Sequence, residues 1–369
     1  MRKRIYFIIP TIERGGGAER VCVFIANALQ KKGYQVFIQL LNRKNIPVYP
    51  VDDGVKVLQP PVFCFGIYGA VFHFLLRCFF KREFPGCVIA FLEPANVFAS
   101  ILARFTNIKV ILTERANPAI DPRNPKSTAR IRKALPYIAK FLMQTKKCAE
   151  KFTDYLPVKP EQFEVIYNPV VNHFPVADDK QAKSDVLLAV GRLCYPKGYD
   201  RMIRIFAAVH KQFSEKKLFI CGDGPDKNDM QKMVKEYGIE GAVYFCGNVE
   251  NIAEYYKKAD VFLMTSHYEG MPNAMLESYA NGCPAISFDF DFGASDIIEH
   301  NVNGILIPQD DEEAFKEALI KYLKDPEMRK NFVRNIPETM KKFSPEVITD
   351  QWEKLIEEVT GESYERNNK

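Results

Sequence analysis

What most constrains this chain is an alternation. Short apolar runs rich in β-branched residues recur from end to end, each followed by a longer stretch with helical spacing. In the first half the strand candidates are Arg4–Ile9, Gln35–Leu41, Cys87–Leu92, Lys109–Thr113, Phe141–Thr145 and Phe163–Tyr167. In the second they are Val186–Val190, Lys217–Cys221, Val243–Phe245, Val261–Thr265, Ala285–Phe288 and Ile305–Ile307. Runs with no polar side belong to strands covered on both faces, and helices between successive strands force parallel pairing. Both halves therefore read as doubly wound α/β domains. A length of 369 residues, more than one hydrophobic core usually serves, agrees with two domains. The pattern breaks across Asn168–Lys183, where Asn-Pro, Phe-Pro and Asp-Asp interrupt it. The expected division is 1–170, 171–345 and a tail, 346–369. In the tail Val347, Ile348, Trp352 and Leu355 fall on one helical stripe.

Charge divides along the same line. The net +5 hides 26 Lys and Arg against 12 Asp and Glu in residues 1–170, and 25 against 34 in the remainder. A basic half joined to an acidic half points to an anionic partner for the first: a membrane surface, a phosphorylated ligand or nucleic acid. With 47% hydrophobic and 26% charged residues, disordered and fibrous classes are excluded. Nine scattered cysteines without a C-x-x-C pair fit reduced thiols better than a zinc module or a disulfide framework. The apolar run Ile5–Ile9 stops at Pro10, too short for a secretory signal, so a cytoplasmic chain is expected.

One segment stands apart. From Val57 to Leu76 there is no Asp, Glu, Lys or Arg. Within it Val62–Leu76 is almost wholly apolar, but Pro60-Pro61 ahead of that run and Arg77 behind leave too few residues for a spanning helix, which needs about 20. It reads either as a buried crossover helix or as a helix lying at a membrane surface. His73, Arg77 and Lys81 share one helical face, and such a basic stripe suits a lipid diphosphate.

Three motifs carry chemistry. Gly15-Gly16-Gly17-Ala18-Glu19-Arg20 follows the first strand and opens a helix, where missing side chains let backbone N–H groups approach an anion. Arg20 stands where a dinucleotide fingerprint needs glycine, which weakens an NAD reading. Gly191-Arg192-Leu193-Cys194-Tyr195-Pro196-Lys197-Gly198 again leaves a strand end, and its Arg and Lys can converge on a diphosphate. The third runs from Glu269 through Gly270, Met271, Pro272 and Asn273 to Glu277. Pro272 suits a first helical turn, leaving the N–H groups of Gly270–Asn273 available to an anion. On a helix the two carboxylates would lie about 12 Å apart, each able to accept from paired hydroxyls.

With Gly222-Asp223-Gly224-Pro225, Ala259-Asp260-Val261, Gly293–Ile298 and Asn303-Gly304, these motifs resemble the retaining GT-B glycosyltransferases of family 4. The likeness is strongest from Gly191 to Pro308, and in the first half rests on the glycine loop and Thr113–Pro118. The resemblance implies two Rossmann-like domains facing across a cleft, with a C-terminal helix crossing back to the first domain. It implies that Glu269 holds donor-sugar hydroxyls and Glu277 the ribose. Arg192 and Lys197 would then neutralise the leaving diphosphate, with backbone of Gly191, Gly16, Gly17 and Gly270–Asn273. Asn248 and Val249, after Gly247, would contact the base. Stabilising the departing charge is the largest catalytic effect invoked, a few kcal/mol per cationic contact.

Where many relatives place a His after the fifth strand, this chain reads Glu114-Arg115-Ala116-Asn117, so Glu114, Arg115 and Asn117 are acceptor-side candidates. Asp289-Phe290-Asp291 imitates a metal-binding Asp-x-Asp, but no metal cofactor is expected, and the histidines have no ligand spacing. The expected reaction moves a hexose or N-acetylhexosamine from a UDP-linked donor to a polyprenyl-diphosphate-linked saccharide, as in bacterial surface-polysaccharide and lipid-linked oligosaccharide synthesis. The expected partners are nucleotide sugar, lipid-linked acceptor and the cytoplasmic face of the membrane, without nucleic acid. A nucleotide-sugar epimerase and a non-catalytic membrane- or nucleic-acid-binding module are the alternatives.

Overall fold

The structure, a computed structural model, describes residues 4–13, 16–43, 47–60, 66–115, 124–170 and 184–361. The chain divides into two units, Met1–Pro169 with Pro345–Lys369, and Val170–Ser344.

The first unit begins β1 (Arg4–Ile9), α1 (Gly17–Lys31), β2 (Gln35–Leu40), β3 (Lys56–Leu58), α2 (Gly66–Lys81), β4 (Cys87–Phe91) and α3 (Glu93–Phe105). It continues β5 (Lys109–Thr113), α4 (Pro125–Ala134), β6 (Lys140–Met143), α5 (Lys146–Phe152) and β7 (Phe163–Val165). The seven strands lie in the order β3-β2-β1-β4-β5-β6-β7, every neighbouring pair parallel. Ile5–Ile9 and Cys87–Phe91 are wholly buried, as strands at the middle of a sheet covered on both faces must be. The strand not anticipated is β3. Three residues at the sheet edge, Lys56 exposed and Val57 and Leu58 half-buried, carry too little apolar pattern to be read.

The second unit runs β8 (Val186–Val190), α6 (Tyr199–His210), β9 (Lys217–Cys221), α7 (Lys227–Glu236), β10 (Val243–Gly247), α8 (Ile252–Lys258) and β11 (Val261–Met264). It then adds α9 (Asn273–Ala280), β12 (Ala285–Phe288), α10 (Ala294–Ile297), β13 (Gly304–Ile307), α11 (Glu312–Lys324) and α12 (Pro326–Met340). Its six strands lie in the order β10-β9-β8-β11-β12-β13, again all parallel. Asp311 and Asp325 cap α11 and α12, accepting from Ala314 N (2.9 Å) and Met328 N (3.0 Å). Asp260, at the start of β11, holds Arg329 (3.0 Å) and the fully buried Lys216 (3.4 Å). Buried charges persist only when paired, so this motif residue serves the frame.

After α12 the chain returns to the first unit as α13 (Pro345–Thr360). Ile348, Trp352, Leu355 and Ile356 enter the first unit's core beside Phe7 and Phe91. The sequence pattern had left out Ile356 and included Val347, which is exposed. The Trp352 ring stacks on Phe91, centroids 6.2 Å apart. Lys32, just past α1, donates to Asp350 and Glu353, each at 2.6 Å. Trp352→Ala is expected to cost about 3–5 kcal/mol, seen as a lower urea midpoint for the first unit.

Candidate active site

In the second sheet the chain order reverses between β8 and β11, the place where loops leaving adjacent parallel strands run apart. The loop after β8 carries Arg192 and Lys197; the segment after β11 carries Ser266 and Glu269. They meet there. Lys197 Nζ donates to Glu269 Oε1 at 2.6 Å, and Ser266 Oγ donates to the same oxygen at 2.7 Å. Glu269 is nearly buried, with its side chain 11% exposed. A lysine has three donors, so Lys197 can keep Glu269 and still face an anion. Arg192 is exposed and makes no ion pair among the described residues. Ser266 escaped the sequence reading, although it stands three residues before Glu269 at a strand end.

The loop is shaped by backbone contact with its neighbour. Gly191 N donates to Cys221 O (3.0 Å) and Leu193 N to Asp223 O (3.0 Å). A Cβ on Gly222, whose φ is +136°, would lie 2.0 Å from Gly191 O. Glycine is therefore required by both space and dihedral. On the other side the Tyr195 ring stacks on His267, centroids 4.5 Å apart. Burial, with the charge of Arg201 nearby, holds the His267 imidazole below its ordinary value, so it is neutral at pH 7.

The third motif needs correcting. The helix begins at Asn273, so Pro272 precedes its first turn and Glu269 lies outside it; the helical 12 Å separation does not apply. Of the four backbone groups expected to be open, Pro272 has no N–H and Asn273 N donates to Met271 O (2.9 Å). Gly270 and Met271 keep theirs. Glu277, half-buried on α9, accepts from Tyr256 Oη (3.4 Å), which also donates to Ala274 O (3.0 Å). Exposed Asn248 and half-buried Val249 follow β10, two strand spacings or about 10 Å from β8.

In the first unit the sheet order reverses between β1 and β4. Gly16 stands before α1 with no side-chain cap, and a Cβ there would meet nothing within 4 Å. At the end of β5, Glu114 is buried and its Oε1 accepts from Arg115 N (3.1 Å). Arg115 stacks over Phe91 (4.8 Å) and donates to Asn168 Oδ1, which also accepts from Gln144 (2.9 Å). Burial pulls the Arg115 guanidinium down to about 10, still charged at pH 7. The expectation of an acceptor-facing Arg115 meets a side chain committed to Phe91 and Asn168. Asn117 lies outside the described residues.

Helix α2 is half sunk into the first unit. Val71, Phe74 and Cys78 are buried, while Tyr68, Phe72, Phe79 and Phe80 are exposed. The basic stripe is not uniform. Arg77 pairs with Glu83 (3.2 Å), while His73 and Lys81 are exposed. His73 and Arg77 line a cavity of about 720 Å³ with Gln39, Asn42, Arg43 and Phe74; Lys81 does not. Arg77 Nη1 is buried there without a partner.

Over residues 173–339 the sequence matches the family described as "Glycosyl transferases group 1", and over residues 15–172 "Glycosyltransferase Family 4". A Campylobacter jejuni protein named "GalNAc-alpha-(1->4)-GalNAc-alpha-(1->3)-diNAcBac-PP-undecaprenol alpha-1,4-N-acetyl-D-galactosaminyltransferase" is 31% identical over 376 residues, covering 96% of this chain and 99% of that relative. The chain is a family 4 glycosyltransferase. The "Amylovoran biosynthesis glycosyltransferase AmsD" of Erwinia amylovora is 28% identical, covering 96% of this chain and 99% of its own. The crystal structure of Anabaena HepE with UDP superposes at a TM-score of 0.79 with 15% identity, covering 96% and 100% of the two chains. The shared fold is GT-B, with Rossmann-like domains of seven and six strands.

Among the described residues of the glycosyltransferase, no three His, Cys, Asp or Glu side chains are grouped to hold a metal ion. Asp289 and Asp291 flank the buried Phe290, and Asp289 Oδ1 is buried without a partner. No described helix is long and apolar enough to cross a membrane. Gly222→Ala is expected to destabilise the second unit by about 2–4 kcal/mol, measured as a fall in its thermal midpoint.

Proposed function

We propose that this glycosyltransferase moves a hexose or N-acetylhexosamine, with retention, from a UDP-linked donor to a polyprenyl-diphosphate-linked saccharide at the cytoplasmic face of a membrane. The observation that carries the donor half is the convergence of Lys197, Ser266 and Glu269 at the reversal of the second sheet, with Arg192 open beside them. Arg192 and Lys197 neutralise the departing diphosphate, aided by the N–H groups of Gly270 and Met271. Glu269 accepts from donor-sugar hydroxyls and Glu277 from the ribose. Asn248 and Val249 face the base. The leaving phosphate takes the acceptor hydroxyl's proton on the face it vacates, which preserves the anomeric configuration. No metal ion is required in this scheme, because two cations and two amides already oppose the diphosphate charge.

Support for the acceptor half comes from the name of the Campylobacter relative and from α2. Its exposed Phe79 and Phe80 directly precede the exposed Lys81 and Arg82, a pairing suited to an anionic bilayer surface. His73, Arg77 and Arg43 line the cavity, a donor-bearing wall suited to a phosphate.

Three measurements test the two halves separately. Among UDP- and GDP-sugars screened by thermal shift and then by product mass on an undecaprenyl-diphosphate-linked saccharide, a UDP-sugar should stabilise the protein and yield an α-linked product. A β-linked product, or epimerised donor without acceptor, would refute the scheme. Arg192→Ala and Lys197→Ala should each lower kcat on the order of 100-fold. Phe79→Ser with Phe80→Ser should weaken binding to anionic vesicles about 10-fold or more while UDP affinity stays unchanged; unaltered vesicle binding removes α2 from the membrane contact.

A further inference from the structure

One arginine in the second unit is out of place by every surface rule. Arg201, on α6, is 3% exposed, and long cationic side chains are almost never buried unless paired. Its guanidinium lies over the Phe288 ring at 4.5 Å. Two of its nitrogens, Nε (3.1 Å) and Nη2, donate to the single carbonyl of Thr265, and Nη1 pairs with Asp310. Asp310 holds a left-handed backbone, φ +68°, to meet it.

The neighbouring bonds show what this fork grips. Gln309 Nε2 donates to the carbonyls of Ser266 (3.4 Å) and His267 (3.2 Å). Three consecutive carbonyls, Thr265 to His267, are thus held from one side by Arg201 and the residues after β13. From the other side the loop bearing Lys197 holds the same segment. Thr265 Oγ1 donates to Gly198 O and His267 N to Pro196 O, both at 2.8 Å. A Cβ on Gly198 would lie 2.1 Å from Thr265 O, so the two backbones touch. Ser266 and Glu269 issue from this clamped segment, and Lys197 from the loop clamped against it.

We infer that Arg201, with Asp310 as its counter-ion, is a positioning residue that fixes the exit of β11 so that Glu269, held by Ser266, reaches Lys197. This rests on the reading of Glu269 given above. Burial pulls the Arg201 guanidinium below its ordinary value, and the Asp310 carboxylate opposes that shift. A fork on one carbonyl fixes direction as well as distance, and a lysine cannot reproduce it. Small misplacements of a reacting group cost on the order of 100-fold in rate.

The test compares wild type, Arg201→Lys, Asp310→Asn and Glu269→Gln, using the donor turned over fastest in the sugar panel. Asp310→Asn is included because Asn tolerates a left-handed backbone and the site is solvent-facing, so it folds even if Arg201→Lys does not. Arg201→Lys should lower kcat on the order of 30-fold with donor KM and UDP Kd within about threefold, and Asp310→Asn should lower kcat by a smaller factor. Amide hydrogen exchange across residues 265–269 should quicken in both, a change that needs no substrate to be seen. Unchanged exchange and unchanged kcat in both variants overturn the inference. A UDP Kd that worsens in step with kcat overturns it too, since the whole unit would then be disturbed. Should Glu269→Gln itself turn over normally, the reading of Glu269 fails and this inference with it; a crippled Glu269→Gln beside a normal Arg201→Lys sinks the inference alone.

Discussion

Everything at the candidate site depends on the parallel pairing of β8 with β11. Two strands that adjoin in the sheet yet lie far apart in sequence send their exits away from each other, and the space between them is left to loops. Into it the chain delivers a cation from one side and a carboxylate from the other. The 2.6 Å bond between Lys197 and Glu269 is the result. Neither group could be brought there by local structure, because seventy-two positions of chain separate them.

The glycines follow from the same constraint. Once β8 and β9 are parallel neighbours, the loops leaving them run side by side, and their backbones close to distances that exclude a methyl group at Gly222. Stability and chemistry are thereby coupled in the second unit. By contrast Asp260, Lys216 and Arg329 sit at the opposite strand ends, where charge holds helix to sheet and takes no part in the site.

Strands were legible in the sequence wherever both faces are covered, since continuous apolar runs such as Cys87–Phe91 admit little else. The exposed edge strand at Lys56–Leu58 was not. Spacing placed His73, Arg77 and Lys81 on one face, but it could not show that Glu83 takes hold of Arg77. Pro272 marked a helix start one residue too early because proline's fixed φ suits the residue before a helix as well as the first within it. Tertiary partners decide the rest. Arg201 looked like any helical surface arginine, and only the carbonyl of Thr265 and the ring of Phe288 distinguish it.

The return of α13 bears on how the protein is made. Ile348, Trp352, Leu355 and Ile356 complete a core whose other members precede the second unit in the chain. At about 5–20 residues per second, a ribosome needs roughly 10–40 s to cross the intervening second unit. During that interval the nascent first unit has Phe91 and its neighbours uncovered, while the later unit can close its own core unaided. The first unit is thus made before the second yet closes its core only after it.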